Sequence, residues 1–185
     1  LTTASTDVIN MTISDSAGVA EVDALDGKTA GTISLAAGST ISDTIDNLVT
    51  NGAAHTIITS NSTLDITLTN ATITSATNLE LIRAASTGQI TCAQLTSTAA
   101  VFANLSAGND KLGLIVTDAA SVSQAMTMIL AVSSTTAITF QGGIEDTVTN
   151  LKTKTTGGTD FDKLDSIVLN DSDVDITISD DAFAT

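Results

Sequence analysis

The residues with the clearest capacity for chemistry are aspartates near the end of the chain. They follow one another at short spacings and comprise Asp160, Asp162, Asp165, Asp171, Asp173 and Asp175. Such loops supply carboxylate and carbonyl oxygens, and Ca²⁺ takes about six to eight of them. The pattern lacks the glycine and later glutamate of an EF-hand loop, and the glycine-rich nonapeptides of calcium β-rolls. We predict a calcium site here; the alternative is a solvated acidic edge that discourages aggregation between sheets.

The single histidine and single cysteine do not form a recognisable catalytic group. His55 stands beside Asn51-Gly52, so we expect an exposed turn residue. Cys92 falls at a strand position that apolar residues fill in neighbouring units, so we expect a buried structural thiol. A zinc site or a catalytic triad would lack partners, and no nucleotide-binding or nucleophile motif occurs. The sequence therefore predicts that the chain is not an enzyme.

Composition argues against nucleic acids and membranes as partners. Six Lys+Arg against 21 Asp+Glu give a formal net charge of −15, which repels phosphate-rich surfaces. No apolar run reaches the roughly 18 residues that would predict a membrane span. The chain has no Pro, Trp or Tyr, whereas ligand pockets usually rely on aromatic side chains. A core of Ile, Leu, Val and Ala suits stacked repeats instead.

A period of 24 residues organises the chain. The strand-like positions that keep this spacing fall in two series, Ile9, Ile33 and Ile57, then Ile66, Ile90, Leu114 and Ile138. Apolar residues at helical spacing follow most of these positions, for example Val19, Val22 and Leu25. We therefore predict a right-handed α/β solenoid, whose strand–helix coils of ~24 residues stack their strands into a parallel sheet. The alternative is an all-β solenoid.

The second coil shows how these patterns assign local structure. Ile41, Ile45 and Leu48 recur at helical spacing, which predicts a helix. Thr40 and Asp43 stand three residues apart in front of it, as in a capping box.

Other short patterns predict where helices begin and end. Asn51-Gly52 predicts a helix stop. Ser121 with Gln124 predicts a capping box. Gly88 and Gly108 follow the helices of their units, where we expect a positive φ.

The register slips between residues 56 and 70. Ile57 and Ile66 are nine residues apart, and two strand-like runs surround residues 60–63, which predicts a truncated coil or a local β-hairpin. We therefore expect an α/β repeat region at 1–158, with an irregular coil at 56–70. Residues 159–185 would form an acidic capping coil or the start of a further module. The interruption is either a tolerated insertion or a contact site for a glycan or receptor.

Two stretches carry a resemblance to known repeats. Ala24 to Ile33, with the letters ALDGKTAGTI, and Ile41 to Leu48, with ISDTIDNL, resemble repeats of very large secreted bacterial proteins, notably of marine cyanobacteria. Gly158 to Ile167 resembles the aspartate-rich segment that often closes calcium-dependent secreted repeat proteins. The resemblance implies a surface-layer, adhesin or filament protein, located outside the cell or on its surface. Some phage fibres carry the same repeats.

The leading hypothesis is an extracellular structural repeat module that self-associates with identical or neighbouring modules. A start at Leu1 without a signal sequence suggests a processed product or an internal fragment. The second hypothesis is a glycan- or receptor-binding module of an adhesin or phage fibre, with residues 56–70 as its contact site. A lyase or hydrolase would need clustered acids and bases, yet Arg83, the sole arginine, falls in a predicted helix.

Overall fold

The computed structural model describes residues 4–69, 72–133, 135–147 and 168–169. In chain order the strands are β1 Met11–Ile13, β2 Ile33–Leu35, β3 Thr40–Asp43, β4 Val49–Thr50, β5 Ala53–Ala54, β6 Asp65–Leu68, β7 Ile90–Ser97, β8 Lys111–Val116, β9 Ile138–Phe140, β10 Glu145–Asp146 and β11 Val168–Leu169. The helices are α1 Val19–Asp26, α2 Ile45–Leu48, α3 Thr56–Ser60, α4 Thr77–Ala85, α5 Ala99–Phe102 and α6 Val122–Ala131.

The largest sheet has five strands in the order β3-β6-β7-β8-β9. It is parallel, and helices alternate with its strands along the chain. Two smaller parallel pairs, β1-β2 and β10-β11, and one antiparallel pair, β4-β5, complete the strand pairing of the described residues. Parallel strands need a crossover between them, which the helices provide. The α/β class and the parallel sheet that the sequence predicts are therefore confirmed, and the all-β alternative is wrong.

The chain divides into two compact units. Of the described residues, the first unit contains 4–69, 75–93 and 110–112, and the second contains 72–74, 94–109, 113–133, 135–147 and 168–169. The predicted boundary between residues 158 and 159 lies outside the described residues.

The first unit stacks apolar residues from successive parallel strands. Ile41 pairs with Ile66, which pairs in turn with Ile90, and all three side chains are buried. Helix α4 covers this stack with Leu79 and Ile82, which are also fully buried. Branched aliphatic side chains suit a pleated surface because they pack against neighbours in the same row.

The second unit repeats the arrangement. Leu114 pairs with Ile138, and an isolated parallel bridge joins Ala120 to Ile144. Helix α6 packs against α5, where Phe102 is fully buried. The two pairs confirm the predicted spacing of 24 residues, as Ile66 and Ile90 do in the first unit.

The predicted helix around Ile41 is only partly correct. Thr40–Asp43 is strand β3, and the helix that follows it is confined to Ile45–Leu48. Its cap is Thr44, whose hydroxyl accepts from the Asn47 amide at 3.2 Å. Ile41 is fully buried in a strand, so helical spacing to Ile45 was coincidental and the proposed capping box of Thr40 and Asp43 is wrong.

The hairpin lies before the position that the sequence indicated. Strands β4 and β5 form it, joined by Asn51-Gly52 with φ values of 53° and 74°, as two-residue hairpin turns of type I′ require. The predicted helix stop at this dipeptide and the predicted hairpin through residues 60–63 are therefore wrong. Ile57, expected in a strand, lies in helix α3.

The capping box at Ser121 and Gln124 is confirmed. The Ser121 hydroxyl accepts from the Gln124 amide at 3.2 Å, and the Gln124 side chain accepts from the Ser121 amide at 2.9 Å. The positive φ expected at Gly88 and Gly108 is wrong, because the described glycines with positive φ are Gly38, Gly52 and Gly143.

Candidate functional site

The predicted calcium ligands lie outside the described residues. These are Asp160, Asp162, Asp165, Asp171, Asp173 and Asp175. Within the described ranges, no cluster of three or more His, Cys, Asp or Glu side chains is arranged to hold a metal ion. A calcium site at the acidic end therefore stays a prediction. No helix of the described chain has the length and apolar character to cross a bilayer.

The polar chemistry of the described residues is concentrated where one coil meets the next. Asp43 illustrates it, because its carboxylate reaches back to the preceding coil. One oxygen accepts from the Val19 amide at 2.9 Å, and the other accepts from the Thr44 amide at 2.8 Å. Val19 is the first residue of α1, where backbone N–H groups have no partner inside the helix. The aspartate of one coil therefore caps the helix of the coil before it.

The same contact recurs in the second unit. Asp146 accepts from the Val122 amide at 3.0 Å and from the Thr147 amide at 2.8 Å. Asp118 accepts from the amide of Ala99 at 2.6 Å. Val122 and Ala99 begin helices α6 and α5. A carboxylate at a helix start satisfies an N–H group and complements the positive end of the helix dipole, so these aspartates join successive coils.

The environment of Asp43 lowers the pKa of its carboxyl group. Partial burial raises the pKa, but hydrogen bonds from Asn47 and from the Val19 and Thr44 amides, with the nearby His55, outweigh it. The folded protein thus favours the charged carboxylate more than the unfolded chain does. The resulting stability is fully present above the unfolded pKa of about 3.9, and it is lost as the pH falls through the folded pKa.

Replacing Asp43 by Asn should therefore destabilise the protein only when the aspartate is charged. At neutral pH we expect a loss of about 1 to 2 kcal/mol, because an amide is a weaker partner for the Val19 and Thr44 N–H groups. Below about pH 4 the difference from the wild type should shrink as the wild-type carboxylate is protonated. Urea unfolding of both proteins across this range measures it. Asp26→Asn, at an exposed position of α1, is the control, and a pH-independent difference for Asp43→Asn would contradict the assignment.

Arg83 forms a charged group with two acidic residues. Its Nε donates to an Asp110 carboxylate oxygen at 2.7 Å, and its Nη1 donates to Glu80 at 2.9 Å. The other oxygen of Asp110 accepts from the Ile90 amide at 3.1 Å. The group therefore ties α4, the start of β7 and the segment before β8. With Arg83 engaged by two carboxylates in this way, the geometry favours a structural role over a catalytic one.

His55 is not the exposed turn residue that the sequence predicts. Its side chain is largely buried, and Nδ1 accepts from the Ile57 amide at 3.3 Å, which caps helix α3. Nδ1 accepts a proton here, so in the neutral ring Nε2 carries one and donates to Asp23, 3.1 Å away. Histidine is an uncommon capping residue, and the residues around it gave no signal of this role. Cys92 is buried, as predicted.

Two turns repeat one pattern of hydroxyl and glycine. The Thr29 hydroxyl donates to the Ile9 carbonyl at 2.9 Å and accepts from the Gly31 amide at 2.8 Å. The Ser86 hydroxyl donates to the Leu64 carbonyl at 2.7 Å and accepts from the Gly88 amide at 3.0 Å.

Both glycines lie against the backbone of the preceding coil. A Cβ at Gly31 would overlap the Ile9 carbonyl, and a Cβ at Gly88 would overlap the Leu64 carbonyl. The sequence signal is the spacing Thr-x-Gly and Ser-x-Gly, which our reading of the chain missed. Close approach of two backbones, and not a positive φ, explains why glycine occupies position 88.

The segment 56–70 belongs to the core of the first unit. Its described residues form α3, a turn and β6, and Ile57, Ile58, Leu64 and Ile66 are buried. Its remaining polar side chains are spread over the turn and include Asn61, which donates to the Ile57 carbonyl at 2.9 Å. The irregular coil is therefore an integral part of the fold, and its role in binding a glycan stays a prediction.

Comparisons with protein-family models, with curated proteins and with solved structures find no match.

Proposed function

We propose that the chain is an extracellular structural repeat module that assembles or spaces a surface layer, an adhesin stalk or a filament. Its coils would follow a right-handed α/β solenoid, in which each coil uses its neighbours as the rest of its core. The resemblance of Ala24 to Ile33 to repeats of large secreted proteins points to the location. The supporting structural features are contacts between coils.

The single observation that carries the proposal is the constancy of offset between paired residues. Parallel pairs join Met11 to Ile33 and Ile41 to Ile66, and the isolated bridges Ala17 to Ile41 and Ala120 to Ile144 are each 24 residues apart. A chain whose neighbours always lie about two dozen residues away buries its apolar face by stacking, as solenoids do. Such a stack grows by adding coils, which suits a spacer.

The polar contacts between coils support the same role. Each aspartate cap, and each hydroxyl of the two repeated turns, spends its hydrogen bonds on the backbone of an adjacent coil. Side chains that satisfy backbone groups of neighbouring coils fix the register of the stack. A surface module exposed to variable conditions gains rigidity from these contacts, whereas a catalytic site would need polar groups directed at a substrate.

Antibody labelling of the cells that produce the protein tests the proposed location and role. We expect the antibody to label intact cells and to decorate a continuous layer or fibres in electron micrographs. An antibody against a cytoplasmic protein provides the control and should label permeabilised cells only. Labelling of this chain exclusively after permeabilisation would contradict the proposal.

A further inference from the structure

We propose that the outer edge of strand β1 is an assembly surface that binds a strand of a second copy of this chain. The inference rests on the proposed function, since it assigns the surface through which the module would self-associate. It follows from a comparison between two equivalent strand segments, the edge segment (residues 9–13) and the inner segment (residues 64–68), both in the first unit.

The two segments occupy equivalent positions in their coils. The carbonyls of Ile9 and Leu64 accept from the hydroxyls of Thr29 and Ser86, respectively. In the next position, the side chain of Asn10 accepts from the Thr32 amide at 2.9 Å. The side chain of Asp65 likewise accepts from the Gln89 amide at 2.7 Å. Met11 and Ile66 then pair with Ile33 and Ile90, in the same direction.

The segments differ on their other side. Strand β3 lies beside the inner segment, pairing Ile41 with Ile66, while β1 pairs only with β2 among the described residues. Leu64 is accordingly 6% exposed, whereas its equivalent Ile9 is 39% exposed and the preceding Val8 is 78% exposed. The surface that β3 covers on the inner segment is thus present, apolar and uncovered on the edge segment.

The backbone of β1 has hydrogen-bonding groups for such a neighbour. The Met11 amide donates to the Thr32 carbonyl at 2.9 Å, and the Ile13 carbonyl accepts from Ala36 at 2.8 Å. In a parallel pair, alternate residues face one neighbour, so the N–H and C=O of the intervening Thr12 point to the open side. An unpaired edge of this kind is a template for a further strand.

The occupant follows from the interface that the inner segment already makes. That interface accepts a coil of this same chain, with a parallel strand and an apolar residue opposite Ile66. A second copy carries coils of this chemistry, and uncharged Asn10 replaces Asp65 at the edge, which removes one carboxylate from the contact. The net charge of −15 opposes association of two copies, so salt should strengthen it by screening over about 8 Å at 0.15 M.

Sedimentation velocity over a concentration series at low and moderate salt tests the surface. We expect the wild type to associate, and more strongly at moderate salt. Thr12→Pro removes the outward N–H and keeps the Met11 amide that pairs with β2, so it should weaken association at least about tenfold. Val8→Lys should do the same by placing a charge in the apolar contact.

Two variants serve as matched controls. Thr12→Val keeps the N–H but loses the Thr12 hydroxyl, which lies 3.3 Å from that of Ser34. Leu130→Lys introduces the same charge at a side chain that is 59% exposed on α6. Both should associate like the wild type. Circular dichroism of each variant verifies that the fold is retained, and Val8→Lys keeps the test decisive if Thr12→Pro perturbs β1.

The outcomes separate this inference from the proposed function. Association that is lost in Thr12→Pro and Val8→Lys, but kept in both controls, supports the β1 edge. Association that none of the variants changes overturns the edge assignment and leaves the surface role, which cell labelling tests independently. A wild type that stays monomeric at every concentration and salt overturns the inference.

Discussion

Gly88→Ala should destabilise the protein by about 3 kcal/mol, which is a large part of the stability of an ordinary domain. The added Cβ would overlap the Leu64 carbonyl and lie 2.8 Å from the Asp65 amide nitrogen. Both neighbours are backbone atoms that precede or begin β6, so they cannot rotate away as a side chain could. Relief would require the turn to move off the preceding coil and break the Ser86 hydrogen bonds. The midpoint of urea unfolding measures the loss.

Gly27→Ala is the matched control for this substitution. Gly27 has a φ of −65° and an added Cβ there would approach no atom closer than 3.4 Å, at the Asp23 carbonyl. We expect it to be neutral or to stabilise slightly, because alanine restricts the unfolded chain more than glycine does. Equal effects of the two substitutions would show that close packing between coils does not determine residue 88.

Asp110→Ala should produce a loss of similar size, about 3 kcal/mol. The substitution leaves the largely buried Arg83 guanidinium without its closest carboxylate, at 2.7 Å, and removes the acceptor of the Ile90 amide. Removing one partner of a buried pair is costly because the remaining charge has lost both water and its counter-ion. Thermal and urea unfolding should both report it.

Glu80→Ala tests whether the position of Asp110 matters or merely the charge of Arg83. Glu80 binds the same guanidinium from one turn away on α4, but its side chain is 26% exposed against 13% for Asp110. Exposed helix pairs of this type contribute about 0.5 kcal/mol or less. A cost for Glu80→Ala as large as that for Asp110→Ala would contradict the role of Asp110 as the link between α4, β7 and the segment before β8.

The repeat could be predicted from the sequence because each coil carries its own apolar pattern. Ile66, Ile90, Leu114 and Ile138 stand at a fixed spacing, and the fold places the pairs Ile66–Ile90 and Leu114–Ile138 side by side. The helix at Val19 to Leu25 and the capping box at Ser121 were also read correctly. These features depend on residues within one coil or on the period itself.

Errors arose where a short apolar run fits two structures. Ile41 is buried whether it belongs to a strand or a helix, and its spacing to Ile45 and Leu48 matched a helix. The Asn51-Gly52 dipeptide indicates a hairpin when short strands flank it. Its flanking strands are two residues each, too short for an alternating pattern to be visible.

The polar contacts were missed for a different reason. Asp43 and Val19 are 24 residues apart, and Arg83 and Asp110 are 27 apart. Nothing in the local sequence of either partner identifies the other. Only the stacking of coils brings them together, so such pairs become predictable once the register of the strands is known. The acidic residues from Asp160 onward stay a prediction, since they lie outside the described residues.

Nuclear Overhauser contacts between backbone protons test the stacking of parallel coils most directly. We predict contacts between the strands of Ile66 and Ile90, and between those of Leu114 and Ile138, in the pattern of parallel pairing. Met11 should likewise show contacts with the strand of Ile33. Antiparallel contacts, or partners at offsets unrelated to the period of about two dozen residues, would contradict the stack and the structural role that depends on it.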